Sequence, residues 1–344
     1  MHRLAGIAVA LMTASSFLVG ARATTHVHVE PLVNFALPPA SAGCGGATAL
    51  GGGAERIPIT VSTVAGQVAE LVNVCIGGKG PYPFVVDTGA GESFIDGQLA
   101  DQLHLPRNGS KTEIAGVGCT GPTQPVRVGS WSVAGVPLDG QIIEAMSLPD
   151  SGAGQPVGSL GSDVLSRFGA VRLDFAAQTL TLGGPQGPVM SNSSEEIRGP
   201  TGAPPSTVLT QGQTGTTVPL TVMLTPGDVS LNVRLRFGRG VYRTYVIDTG
   251  SSQSLVASSV AKSVGLAQSD LAQRQTTVCS IITIPLVHSG PWSLPGATLH
   301  PQLLASVNFG AIGSDGIAGL LGSDQLQRFG WVIFDYRGGR LVLG

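Results

Sequence analysis

The chain has 344 residues, 50 of them Gly and 23 Pro, with 12% charged and 42% hydrophobic side chains and a net charge of -2. That length has room for two domains, and so many backbone breakers exclude a helical bundle. Low charge with abundant apolar residues excludes a disordered chain, and the weakly acidic balance excludes nucleic-acid binding through a basic surface. A turn-rich, all-β protein is left.

The first segment carries Arg3, a mostly apolar stretch over 4–20 and the small-x-small triplet Ala21-Arg22-Ala23. It reads as an export signal over residues 1–23, which implies a secreted or periplasmic protein. A retained anchor is the competing reading, since the apolar stretch is near the minimum length of a spanning helix. No later segment is long and apolar enough to span, so no stable membrane span is expected after signal removal. Residues 24–55 form an N-terminal extension, read either as a removable pro-segment or as a flexible arm. Cys44, Cys75, Cys119 and Cys279 permit two disulfides and three pairings in an exported chain. They form no CxxC or Cys/His cluster, so no metal is expected.

An internal repeat organises the rest, at an offset of 161 residues. Ile57-Pro58-Ile59-Thr60-Val61 returns as Val218-Pro219-Leu220-Thr221-Val222, and Trp131-Ser132 as Trp292-Ser293. Between 159–183 and 320–344, 13 of 25 positions are identical. The chain therefore divides into two similar lobes, 56–183 and 218–344, joined by a Gly/Pro/Ser/Thr-rich linker over 184–217. Within a lobe, Leu71 to Ile76, Phe84 to Val86, Val171 to Leu173 and Thr179 to Leu182 are short, β-prone and bounded by Gly or Pro, as strands are. One short helix per lobe is predicted near its end, at 162–169 and its counterpart, from cap-type residues at the start and Gly at the finish. Asp163, Asp324, Arg167 and Arg328 read as cap and surface-pair residues, and Trp131 and Trp292 as core.

Each lobe carries Asp-Thr-Gly directly after an apolar strand: Phe84-Val85-Val86-Asp87-Thr88-Gly89 and Tyr245-Val246-Ile247-Asp248-Thr249-Gly250. One such triplet is an ordinary turn signal. Two at equivalent points of a repeat related by a pseudo-two-fold bring two carboxyls together at the axis. Buried side by side, two carboxyls do not both ionise; one keeps a proton while the other acts as base toward water.

Apolar-apolar-Asp-Thr-Gly followed by apolar-apolar-Gly before a short helix occurs twice, at Val85 to Gly89 with Leu160-Gly161 and at Val246 to Gly250 with Leu320-Leu321-Gly322. In this the chain resembles the pepsin-like and retropepsin-like aspartic proteases over nearly all of 57–344. Only Ser159, where an apolar residue is usual, departs. The resemblance implies a bilobal acid-protease fold with two β-barrel-like lobes and a catalytic dyad of Asp87 and Asp248. It also implies that Thr88 and Thr249 link the two loops, that Gly89 and Gly250 allow the tight backbone, and that an extended polypeptide substrate lies between the lobes. No cofactor is implied, and a monomer is expected. Ser251 follows the second motif where Ala90 follows the first. A hydroxyl donating to a carboxylate favours its charged form, so Asp248 is expected to be the ionised partner.

The family's flaps follow each Asp, and Gly116-Val117-Gly118-Cys119-Thr120-Gly121 and Thr276-Thr277-Val278-Cys279-Ser280 occupy that stretch. The first segment lacks the tyrosine of a pepsin flap. Cys119 and Cys279 stand 32 and 31 residues after their aspartates, so a flap-to-flap disulfide, with Cys44 to Cys75 as the second bridge, is one pairing; buried or differently paired cysteines are the other reading. Functionally, an exported aspartic endopeptidase stands against a non-catalytic peptide-binding or scaffold protein that kept the fold.

Overall fold

The computed structural model describes residues 17–19, 43–64, 66–149, 155–183, 195–198, 214–225, 227–277, 279–309 and 316–344. The apolar runs that end in Asp-Thr-Gly form the strands Lys79–Val86 and Arg243–Asp248. Each lies antiparallel to a long neighbour, Gln67–Ile76 or Asp228–Phe237. On its other side each has a parallel partner, Gly158–Leu160 or Ile317–Gly322. Burial on both faces accounts for unbroken apolar sequence where a half-exposed strand would alternate.

The first repeat builds a ten-stranded sheet and the second a twelve-stranded one, with Phe17–Val19 and Glu195–Arg198 at the two ends of its strand order. Apart from Phe17–Val19, the export signal lies outside the described residues. The described part of the 184–217 linker includes the strand Glu195–Arg198, antiparallel to Thr221–Thr225. Both sheets run from edge to edge, so the barrel-like expectation gives way to open sheets. Closure needs first and last strands to pair; in the first sheet the last hairpin reaches to the opposite lobe instead.

A third, seven-stranded sheet takes strands from both repeats. At its centre Ala170–Asp174 pairs antiparallel with Trp331–Asp335, and Arg172 faces Ile333, its own counterpart in the repeat. An antiparallel pair in which a residue faces its repeat-mate places the pseudo-two-fold through that pair. One apolar cluster continues across this junction, with Leu165, Leu173, Phe334 and Tyr336 among its members. Trp131 and Trp292 are buried as expected, their indole N–H groups donating to the carbonyls of Asp139 at 2.9 Å and His300 at 2.8 Å.

The predicted helix forms as Ser162–Leu165 continued by a 3-10 turn over Ser166–Phe168, and it closes on Gly169 at φ 70°. Ser323–Leu326 and Gln327–Phe329 repeat it. Each lobe also has a second six-residue helix, Gly97–Gln102 or Ser258–Ser263. Periodicity is silent over so few residues; the local signal is Asp96, whose Oδ1 accepts from the N–H groups of Gln98 and Leu99.

Asp163 and Asp324 are not surface cap residues. Asp163 is buried and accepts from Ser93 Oγ at 2.6 Å and Gln141 Nε2 at 2.6 Å, while Ser93 Oγ also accepts from the Gly161 N–H at 2.9 Å. The second lobe repeats this with Asp324, Ser254 and Gly322. These networks brace the strand-to-helix turn after each Gly. Arg167 donates to the Asp163 carbonyl, and Arg328 is exposed.

Residues from the N-terminal extension join the fold: Ala54–Pro58 pairs with Thr179–Leu182, and Cys44 is bridged to Cys75. Between the lobes, the Val68 N–H donates to the Ser252 carbonyl at 3.1 Å and the Val229 N–H to the Gly91 carbonyl at 3.3 Å. Ser162 and Tyr336 hydroxyls meet at 3.0 Å, whereas Ser323 Oγ donates to Glu70 Oε2 at 2.9 Å. Glu70 is fully buried, and burial raises its carboxyl to about 8. Glu92 is also raised to about 8, by burial and then by Glu144, Asp163 and Asp228.

Two outcomes follow for stability. Ser93→Ala strips a donor from buried Asp163 and an acceptor from Gly161, which costs about 1–3 kcal/mol in urea unfolding; an unchanged midpoint would remove Ser93 from the brace. A folded carboxyl above its unfolded value of 4.5 stabilises the fold below that pH and loses the contribution as pH rises toward about 8. The melting temperature therefore falls between pH 4.5 and 8, and Glu70→Gln, which cannot ionise, raises it at pH 8 by roughly 5 °C. Equal melting of the two proteins at pH 8 contradicts a protonated, buried Glu70.

Candidate active site

Strand ends bring Asp87 and Asp248 to the axis, both with 0% exposure. Thr88 and Thr249 cross between the loops. The Thr88 N–H donates to Thr249 Oγ1 at 3.0 Å and the Thr249 N–H to Thr88 Oγ1 at 3.1 Å. Each hydroxyl then donates to the opposite strand, Thr88 to the Ile247 carbonyl at 3.0 Å and Thr249 to the Val86 carbonyl at 2.6 Å. The carbonyls of Thr88 and Thr249 accept from the hydroxyls of Ser162 at 2.9 Å and Ser323 at 3.3 Å, so the polar groups of both buried threonines are satisfied.

The glycines serve the opposite lobe. A Cβ on Gly89 would run into the Asp248 carboxyl, and one on Gly250 into that of Asp87. Only hydrogen at these positions lets each carboxyl lie over the other loop. Each carboxyl is close enough to the other to shift its ionisation.

Their other partners differ. Asp87 Oδ1 accepts from the N–H groups of Gly89 at 3.0 Å and Ala90 at 2.8 Å, and Oδ2 accepts from Ser159 Oγ at 2.9 Å. Asp248 Oδ1 accepts from the Ser251 N–H at 2.9 Å, while no donor reaches its buried Oδ2 among the described residues. Burial raises both acids. Asp87 stands at about 6 because the Ala90 N–H, the Ser159 hydroxyl and further donors favour its charged form. Asp248 is pushed well above the carboxylate range, by burial first and then by the charge of Asp87.

The donors thus favour the charged form at Asp87, where the expectation placed it at Asp248. The Ser251 hydroxyl donates to the Gln253 carbonyl at 2.6 Å, and only the Ser251 backbone supports Asp248. Ser159 was missed as a site residue. Its signal was visible as the one polar residue in an otherwise apolar pattern.

Gly116 and Cys119 face each other across a tight turn through Val117 and Gly118, the tip of the hairpin Thr112–Gly116 and Cys119–Val128. Val117 is 1% exposed and packs in a cluster of the second lobe with Val246, Leu255, Ile284 and Phe309. In the other direction Cys279 packs against first-lobe Leu71, Val85, Ala90 and Phe94. Cys119 and Cys279 are joined by a disulfide with Cα atoms 6.1 Å apart. Of the two readings of the cysteines, flap-to-flap pairing with Cys44–Cys75 is the one the fold adopts. Val278 lies outside the described residues.

Among the described residues no group of three or more His, Cys, Asp or Glu side chains is arranged to hold a metal, and no helix is long and apolar enough to cross a membrane. Residues 72–164 match the family model described as aspartyl protease. No curated protein matches the chain by sequence. Among solved structures it is similar to basic 7S globulin from soybean at 13% identity, covering 85% of this chain and 94% of that one with a TM-score of 0.39. The family match covers the first Asp-Thr-Gly, and the internal repeat sets a second one beside it, so aspartyl-protease similarity is shown for residues 72–164 and is echoed in the second lobe by the repeat.

Proposed function

We propose that the protein is an exported aspartic endopeptidase in which Asp87 and Asp248 activate one water against a peptide carbonyl. The observation that carries this reading is the pair of buried carboxyls, each lying over the opposite loop beside crossed threonines. One charged and one protonated acid suit both ends of the addition. The water oxygen bonds to the carbonyl carbon as one of its protons passes to the carboxylate. The carbonyl π pair moves to its oxygen, which takes the proton of the other acid. Collapse of the neutral diol then breaks the C–N bond: the carboxyl that took the water's proton passes it to the amine nitrogen, and a diol hydroxyl returns its proton to the other aspartate, restoring the dyad. The substrate is a polypeptide held extended between the lobes, and the domain boundaries proposed are 56–183 and 218–344.

One observation favours the second reading, a peptide-binding or scaffold protein. Both aspartates are 0% exposed, and the hairpins that follow them are joined by Cys119–Cys279. In the peptidase reading this bridge is a latch: reduction frees Val117 to leave the second-lobe cluster and opens the cleft.

Cleavage of a mixed peptide library between pH 3 and 7, with and without reductant, separates the two. The peptidase reading expects turnover that falls by about 10³-fold or more in Asp87→Asn and in Asp248→Asn. It also expects Cys119→Ser paired with Cys279→Ser to cleave without reductant as fast as the reduced wild type. A protein inert in every condition, with Asn variants that bind peptides as the wild type does, supports the binding reading.

A further inference from the structure

The two motif strands sit in the same register against their parallel partners, Ser159 facing Val85 in one lobe and Leu320 facing Val246 in the other. At one place in the repeat, therefore, the first lobe has a hydroxyl and the second an isobutyl group. The backbone N–H groups of the Asp87 loop both go to Oδ1, so the Ser159 hydroxyl is the donor that reaches Oδ2. Its counterpart oxygen, Asp248 Oδ2, has no donor among the described residues. Ser159, Asp87 and Asp248 are all 0% exposed, so no bulk water levels this difference. Ala90 supplies no hydroxyl on the Asp87 loop, and the Ser251 hydroxyl is turned to Gln253.

We propose that Ser159 is the positioning residue that assigns the two roles: it holds Asp87 as the carboxylate that takes the proton of water, leaving Asp248 as the acid that donates. The inference rests on the peptidase reading for its consequence and on hydrogen bonding for its cause. A donor to a carboxylate in a dry site favours the charged form, and an acid whose outer oxygen meets no donor keeps its proton. The other titratable groups facing Asp87 are Glu70, from the strand paired with its own, and Tyr336, from the end of the second repeat. Glu70 stays protonated up to about 8, and burial raises Tyr336 well above its usual range. Both are neutral while the dyad titrates in acid, which leaves the two aspartates and their donors to set the order.

The test is titration of the full chain labelled with 13C at the Asp carboxyls, followed by NMR, with Asp87→Asn and Asp248→Asn identifying the two resonances. In the wild type the Asp87 signal reports most of the first ionisation of the pair. Ser159→Ala raises that midpoint by roughly one to two pH units, the scale of a hydrogen bond to a charge. Ser159→Thr, which keeps the hydroxyl, restores it, and Ser251→Ala leaves it in place. In turnover the acidic limb of kcat/KM moves with the same variants while KM does not, which loss of packing alone does not produce. A midpoint unmoved by Ser159→Ala, or moved equally by Ser251→Ala, overturns the assignment; so does Asp248 ionising first in the wild type. The NMR titration needs no substrate, so failure to cleave peptides rejects the peptidase reading without touching this result.

Discussion

Four hydrogen bonds made by Thr88 and Thr249 hold the centre of the molecule together. Each threonine accepts from the backbone of the other and donates to the strand beyond it, so neither loop has its polar groups satisfied alone. That reciprocity fixes the separation of the lobes at the point where the two carboxyls meet. The neighbouring glycines follow from the same geometry, because the space a Cβ needs is already occupied by the opposite aspartate. The shared sheet below repeats the symmetry with Arg172 facing Ile333.

Duplication supplies two equal acids, and the proposed chemistry asks for two unequal ones. The inequality comes from single residues that break the repeat. Ser159 stands where the second lobe has Leu320, and Glu70 where it has Leu231. Both substitutions place polar groups beside the axis, in a region so thoroughly buried that each hydrogen bond counts strongly. Glu70 also ties the lobes through Ser323, whose repeat-mate Ser162 meets Tyr336 instead. A protein braced by protonated carboxyls is suited to acid.

The hairpin tips give the cleft an unusual roof. Val117 is received by the core of the opposite lobe, and Cys279 lies against the first-lobe residues around Val85. Apolar burial favours this closed arrangement even before the disulfide forms, and the covalent bond makes it persistent. In the peptidase reading the joined hairpins must part, in the binding reading they need not, and for that reason the redox state of one bridge separates the two.

Much of this was legible in the residues. The offset repeat, the paired Asp-Thr-Gly motifs after apolar strands and the Gly-terminated helices after Gly161 and Gly322 are local patterns, and local patterns survive in sequence. The helix at Gly97–Gln102 was not legible, being shorter than two turns. The burial of Asp163 and Asp324 was hidden because a carboxylate in a first turn looks the same whether water or Ser93 satisfies it. The pairing of four cysteines and the order of the two acids were beyond reach for one reason: both depend on which side chains lie within a few ångströms across strands remote in sequence. By itself the sequence determined two similar β lobes and two acids at matching points. The tertiary structure alone decided that the hydroxyl of Ser159 rather than that of Ser251 reaches a carboxylate, and that Cys119 is joined to Cys279, because hydrogen bonds and disulfides are set by distance in space.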